Sequence, residues 1–229
     1  MEDYQEALSQ RIDTNLATLN ELENTIENAV SSFEKNNLLI GKINSRKLEM
    51  KDYHVLLLRL FQQVWRSSNS FALAAASIDM RHQVAREYLL HHAEEEKTHW
   101  TWILSDLKGS GYKGPDPRTT HPHHVTVGYF SYAMFLGSHF PIGRLCMAAV
   151  LEGISGTFGP KFGPEVLKQL KINPEHLQFF RSHGELDQGH SKAILEVIRK
   201  TELTGYEMWQ LIGVAQNTVE LYKAIYNLL

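Results

Sequence analysis

Apolar residues recur along most of this chain with the period of an amphipathic helix, and this periodicity restricts the fold more than any other feature. In the first long segment, Ile12, Leu16, Leu19 and Ile26 approximate a repeat of about 3.6 residues. No stretch shows the alternating, β-branched pattern that is typical of a strand. The sequence therefore predicts an all-α bundle of about seven helices.

Prolines, glycines and capping residues mark the ends of the periodic segments. Pro141 suits the first turn of a helix, and Asn173-Pro174 combines a capping asparagine with a first-turn proline. Two Gly-Pro pairs between residues 159 and 164 frame a further short helix. The long helices are expected at about residues 4–35, 46–77, 80–108, 125–136, 141–156, 174–201 and 204–229.

The composition is that of a globular protein, with 43% hydrophobic and 21% charged residues, and it suits one domain spanning residues 1–229. The net charge is -3 without a large block of either sign, so we expect neither nucleic acid nor an anionic membrane as a partner. No apolar run approaches the about 20 residues that span a bilayer. Cys146 is the only cysteine, and together with the polar N-terminus it indicates the reducing cytoplasm.

The segment from His183 to His190 carries the strongest chemical motif. His183, Asp187 and His190 are separated by steps of four and three residues, which return to the same face of a helix. Two imidazoles and one carboxylate on one face form half of a metal site. The alternative interpretation is a solvated polar helix face with scattered histidines.

A second motif, Glu96-x-x-His99, has the spacing that helical di-iron carboxylate sites use. Its helix stripe is apolar at both ends and polar in the middle, and an unpaired charge on a buried face is costly, so a metal ion would supply the pairing. The alternative is an exposed acidic run at residues 94–96 that pairs with Lys97. Glu95 lies four residues before His99 and is the other candidate ligand, but the stripe of Glu96 is the more apolar one.

Glu152 is a lone carboxylate that follows the apolar segment 145–151. A carboxylate in such surroundings is bound to a metal ion, paired with another charge, or protonated with a raised pKa. The alternative is a glutamate at an exposed helix edge.

Together, the three motifs offer three carboxylates and three histidines on three helices, a set suited to two metal ions. Oxygen and imidazole ligands without thiolate favour iron or manganese over a structural zinc. We expect Glu152 and Asp187 to be available to bridge the two ions, which makes Glu152 the expected catalytic residue. The complete set of expected metal ligands is Glu96, His99, Glu152, His183, Asp187 and His190.

At these residues the sequence resembles the heme-oxygenase-like diiron oxidase and oxygenase superfamily, which is similar in fold to heme oxygenase, thiaminase II and pyrroloquinoline-quinone synthase. The resemblance implies a seven-helix bundle that binds two ferrous ions, one of them often weakly, and that takes dioxygen as co-substrate. It also implies oxidation of a small carboxylic or amino acid by oxidative decarboxylation, N-oxygenation, desaturation or carbon–carbon cleavage. It covers residues 56–198 and rests on Glu96-x-x-His99, on Glu152 before Gly153, and on His183-x3-Asp187-x2-His190.

One position departs from the family pattern. Many relatives place another glutamate near the first histidine of the site, whereas His92 stands seven residues before His99 here. This imidazole is either a further metal ligand, a group that supports the ligands, or a substrate contact.

Three other functions compete with this interpretation. A metal-free hydrolase similar to thiaminase II would use Cys146 as its nucleophile, but no histidine lies within one helical turn of it. A heme-degrading enzyme needs an early axial histidine, for which His54 is the first available residue. A non-catalytic iron-binding protein would bind metal without consuming oxygen. For the enzyme, we expect a small-molecule substrate and, from the prevalence of symmetric oligomers, a homodimer.

Overall fold

The computed structural model describes residues 18–187 and 189–228, and these residues form helices, turns and loops without a strand. The predicted all-α fold is confirmed. Residues 4–17 of the first predicted helix lie outside the described part of the chain. The α-helices are α1 (18–32), α2 (Leu38–Asn44), α3 (Met50–Val64), α4 (Ser67–Ser77), α5 (Gln83–Glu96), α6 (Trp100–Gly109), α7 (His124–His139), α8 (Pro141–Leu170), α9 (Gln178–Leu186), α10 (His190–Lys200) and α11 (Gly205–Tyr226).

Three predicted helices are each divided in two, so the described residues contain more than seven helices. The division lies at residues 65–66 between α3 and α4, at residues 97–99 between α5 and α6, and near Gly189 between α9 and α10. Gly189 has a φ of 110°, which residues with a side chain rarely adopt. The apolar period continues across each short turn, and periodicity alone therefore misses the breaks.

α8 is longer than predicted, because the expected interruption between residues 159 and 164 is absent. Pro160 and Pro164 lie inside this continuous helix of 30 residues. Each proline removes one backbone donor, but packing along the length of a helix outweighs such local losses. Pro141 occupies the first turn as expected.

α8 lies at the centre of the bundle and packs against α7, α9, α10 and α11. Every side chain from Leu145 to Val150 is buried. α9 approaches α8 closely where two glycines meet, since a Cβ added at Gly159 would lie 3.1 Å from the Cα of Gly184. This close approach brings the residues after His183 next to the buried side of α8. Within the described residues, no helix has the length and apolar character that are needed to cross a membrane.

Candidate metal centre

The six side chains that the sequence singled out converge as two clusters, each built from three residues whose ligand atoms lie within 4.8 Å of one another. We call them the first triad and the second triad. The first triad consists of Glu96, His99 and His183, and the second consists of Glu152, Asp187 and His190.

The first triad joins the α5–α6 turn to α9. Glu96 is the last residue of α5, and His99 caps α6, so the short turn keeps their spacing although the helix is broken. Nδ1 of His99 lies 3.1 Å from Oε1 of Glu96 but makes no hydrogen bond. Two ligands about 2.1 Å from one metal ion and at right angles to each other lie about 3.0 Å apart, so this separation suits a shared ion.

His183 is oriented by its own helix. Its Nδ1 lies 2.9 Å from the backbone carbonyl of Phe179, to which it donates in the Nδ1–H tautomer. That tautomer leaves the lone pair of Nε2 free, which is the arrangement that metal-binding histidines adopt. Trp102 stacks on His99 at 4.1 Å between ring centroids and meets His183 edge-on, so both imidazoles of the first triad are held in place.

Asp106 on α6 anchors the start of α9. Its two carboxylate oxygens accept the backbone N–H groups of Gln178 and Phe179 at 2.8 and 2.9 Å. These N–H groups belong to the first helical turn, which has no partners of its own within the helix. Asp106 thereby ties the helix that carries His183 to the helix that follows His99.

The second triad forms where α9 ends beside α8. Glu152 lies in the buried face of α8, Asp187 caps the end of α9, and His190 begins α10. Nδ1 of His190 lies 3.8 Å from Glu152 and 3.9 Å from Asp187. The positive φ of Gly189 turns the chain so that His190 points back towards this carboxylate pair.

The electrostatics of both triads fit divalent cations. Although burial opposes ionisation, the imidazoles of His99 and His183 lower the pKa of Glu96 to about 2. Burial and the neighbouring charge of Glu152 raise the pKa of Asp187 to about 8. Oε2 of Glu152 and Nδ1 of His99 are buried without a hydrogen-bond partner. A cation in each triad would pair the crowded carboxylates and occupy these vacant donor and acceptor positions.

His92 lies beside the second triad. Its Nε2 is 2.9 Å from Oε1 of Glu152, and its Nδ1 is buried without a hydrogen-bond partner. Although burial opposes protonation, the hydrogen bond to Glu152 raises the pKa of His92. His92 therefore holds one oxygen of the Glu152 carboxylate, and the other oxygen faces His190.

The structure bears on two details of the expected arrangement. His183, Asp187 and His190 do not lie on one continuous helix, because the chain breaks at Gly189 and His190 begins α10. His183 belongs to the first triad, whereas Asp187 and His190 belong to the second. Glu96 rather than Glu95 lies in a triad, since the side chain of Glu95 is 40% exposed and faces His92 at 3.6 Å.

A cavity of about 130 Å³ adjoins both triads. Most of its lining is apolar, but Arg144 of α8 also faces it. Arg144 is not among the predicted site residues, although it shows the same sequence signal as Glu152: a single charge within an otherwise apolar helix.

Neither residue of the competing interpretations lies at the cavity. Cys146 is fully buried and donates to the carbonyl of Leu211 at 3.4 Å, and burial raises the pKa of its thiol to about 12. A thiol with so high a pKa supplies almost no thiolate at neutral pH. His54 lies 3.0 Å from the hydroxyl of Ser110 and is likewise absent from the described cavity lining.

Comparison with known proteins agrees with the fold and identifies a family. Residues 62–222 match the family described as iron-containing redox enzymes. A domain of unknown function with a heme oxygenase-like fold from Shewanella denitrificans OS217 is similar to this chain with a TM-score of 0.81 at 20% identity, over 91% of this chain and 90% of that one. A TenA homologue from P. horikoshii OT3 is similar with a TM-score of 0.72 at 12% identity, over 92% and 96% of the two chains.

At these identities the solved structures show the fold alone, which is heme oxygenase-like, as the sequence predicted. Comparison with curated proteins gave no significant match. The family match extends over well more than half of the sequence and includes all six residues of the two triads. The chain therefore belongs to the family of iron-containing redox enzymes.

Proposed function

We propose that this member of the iron-containing redox enzyme family holds one iron ion in each triad and activates dioxygen to oxidise a small carboxylic- or amino-acid-type substrate. One observation carries the proposal: six ligand-type side chains from three separate motifs converge as two triads beside one cavity. Iron is favoured over zinc because both triads combine imidazole with carboxylate and contain no thiolate.

The first triad has the ligand set of a known class of oxygen-activating site. Two histidines and one carboxylate that leave positions open are typical of non-heme Fe(II) oxygenases. His99, His183 and Glu96 supply this set from the α5–α6 turn and α9. The second triad has one histidine and two carboxylates, and this more acidic set also suits Fe(II) or Mn(II).

When bound, the iron ions supply the redox chemistry towards dioxygen. The chain's own residues hold and shield that chemistry. The hydrogen bond of His183 to Phe179 fixes the imidazole orientation, and His92 holds one oxygen of Glu152 while the other stays available to a metal ion. The apolar lining of the cavity excludes water, which strengthens the electrostatic interactions of the site and limits side reactions.

The proposal is tested first by anaerobic iron titration of the purified chain. We expect about two iron ions per chain, and we expect His183→Ala and His190→Ala each to lose about one, because the two histidines belong to different triads. His91→Ala is the matched control, since this neighbouring histidine of α5 is 68% exposed and lies in neither triad. Unchanged iron content in both triad variants would contradict the proposal.

The second measurement separates an oxygenase from a protein that only stores iron. The iron-loaded chain is mixed with oxygenated buffer, with and without pooled carboxylic and amino acids, and oxygen consumption is recorded with an electrode. We expect faster consumption with the pool that contains the substrate, and we expect Glu152→Ala to abolish this increase. Iron binding without substrate-dependent oxygen consumption in any pool would favour the non-catalytic protein.

A further inference from the structure

Arg144 is a buried cation whose charge the surrounding protein leaves without a counterion. Only 3% of its surface is exposed, and it lines the cavity beside the triads. Among the side chains that the structure describes, no carboxylate forms an ion pair with it, and its Nη1 is buried without a hydrogen-bond partner. A buried charge without a partner is strongly unfavourable, so such an arginine indicates a missing anion.

The contacts that Arg144 does make hold it in one orientation. Its Nε donates to the hydroxyl of Ser70 at 2.9 Å, and that hydroxyl in turn donates to the carbonyl of Ser67. Its guanidinium carbon lies 3.5 Å from the ring centroid of Phe71, in cation–π contact. One edge of the guanidinium is therefore fixed on α4, and Nη1 remains available to a ligand.

The same phenylalanine links Arg144 to the metal centre. The ring of Phe71 meets His92 edge-on at 4.4 Å between centroids, and His92 is hydrogen-bonded to Glu152. Burial lowers the pKa of Arg144, while the nearby phenol of Tyr129 and the carboxylates of Glu96 and Glu152 oppose that shift. Arg144 thus lies within electrostatic reach of both triads, and when metal ions take up the carboxylate charges, the positive charge of the arginine remains uncompensated.

We propose that Arg144 binds the carboxylate of a small acid whose remaining part is apolar. This inference rests on the proposed function and names the substrate class within it. The planar guanidinium matches a carboxylate with two parallel hydrogen bonds. The rest of the lining is largely apolar, and a cavity of about 130 Å³ is close to the about 150 Å³ that accommodates benzene in another protein.

The cavity favours an apolar acid over an amino acid. An α-ammonium group needs a carboxylate partner in a buried site. The carboxylates that line the cavity are Glu96, Glu152 and Asp187, and all three belong to the triads, where metal ions would neutralise them. An acid with an ammonium group would therefore place a second, unpaired cation near Arg144.

The test is calorimetric titration of the anaerobic, iron-loaded protein with three matched probes: pentanoate, its 2-amino derivative norvaline, and 1-pentanol. We expect pentanoate to bind at least tenfold more tightly than either of the others, a comparison that needs no variant. We expect Arg144→Gln to weaken pentanoate binding at least tenfold, and Arg144→Lys, which keeps the charge but loses the planar fork, to bind with intermediate affinity.

Arg59→Gln is the matched control, because Arg59 also has buried guanidinium nitrogens without partners but does not line the cavity. It should bind pentanoate within about twofold of the wild-type affinity. Wild-type affinity in Arg144→Gln, tighter binding of norvaline than of pentanoate, or no binding of pentanoate to the wild type would each overturn the inference. Iron content, measured on the same samples, tests the proposed function separately: Arg144-dependent binding in a chain without iron would overturn only the diiron proposal.

Discussion

Asp106 anchors the start of α9, and its replacement should change stability in a pH-dependent manner whose size follows from the structure. The side chain has no exposed surface, and both carboxylate oxygens accept backbone N–H groups of α9. Burial raises the pKa of Asp106 from its ordinary value of 3.8 to about 6, and the N–H groups of Phe179 and Gln178 lower it only in part. The native protein therefore holds this proton more tightly than the unfolded chain does.

Because the native pKa is raised, ionisation of Asp106 destabilises the fold, and stability is lost as the pH rises from about 4 to about 6. A difference of about two pH units, at about 1.4 kcal/mol each, lowers the free energy of unfolding by about 3 kcal/mol above that range. Asp106→Asn carries no charge and lacks this loss. The amide keeps one acceptor oxygen and leaves one N–H without a partner, which costs about 1–3 kcal/mol at every pH.

The free energy of unfolding is measured by urea titration of the metal-free wild type and Asp106→Asn between pH 4 and pH 7.5. At pH 4, we expect the free energy of unfolding of Asp106→Asn to be about 1–3 kcal/mol lower than that of the wild type. Between pH 4 and pH 7, the wild type should lose about 3 kcal/mol of stability relative to the variant. Asp79→Asn is the matched control, since Asp79 also caps a short helix but its carboxylate is 65% exposed. A stability difference for Asp106→Asn that stays constant across this pH range would refute the reasoning.

Three further outcomes are expected. Cys146→Ser should keep its iron and its substrate-dependent oxygen consumption. Its stability loss should be only about 1 kcal/mol, because the carbonyl of Leu211 is available to the new hydroxyl. A folded but inactive Cys146→Ser, together with wild-type activity that chelators do not reduce, would instead support the hydrolase. Gly189→Ala should lower the free energy of unfolding by about 1–2 kcal/mol, because a φ of 110° strains any residue with a Cβ. It should also reduce the iron content, because this turn positions His190. Thermal unfolding and metal analysis measure the two effects, and wild-type stability together with wild-type iron content would contradict the prediction. Light scattering should give about twice the monomer mass of 26.2 kDa, whereas a monomer mass at every concentration would exclude the homodimer.

The fold class and the types of ligand follow from the sequence alone. Apolar periodicity over most of the chain predicts helices because the helix repeat is a local property of the backbone. The spacing of Glu96 and His99 survives the break between α5 and α6, since the three-residue turn keeps both side chains on the same side. The capping box that Thr204 and Glu207 form at the start of α11 is local in the same way, because its hydrogen bonds join residues that are close in sequence.

The grouping of the ligands depends on tertiary structure. His183, Asp187 and His190 are spaced for one helix face, yet the left-handed turn at Gly189 separates His190 from α9. His183 lies in the first triad, and Asp187 and His190 lie in the second. The surroundings of Arg144 were equally beyond the reach of the sequence, because Ser70 and Phe71 lie more than seventy residues away from it along the chain. Sequence spacing indicates which side chains would share a face of an unbroken helix. Helix packing decides where the helices break and which faces meet, and packing is a sum of many weak contacts spread over the whole bundle.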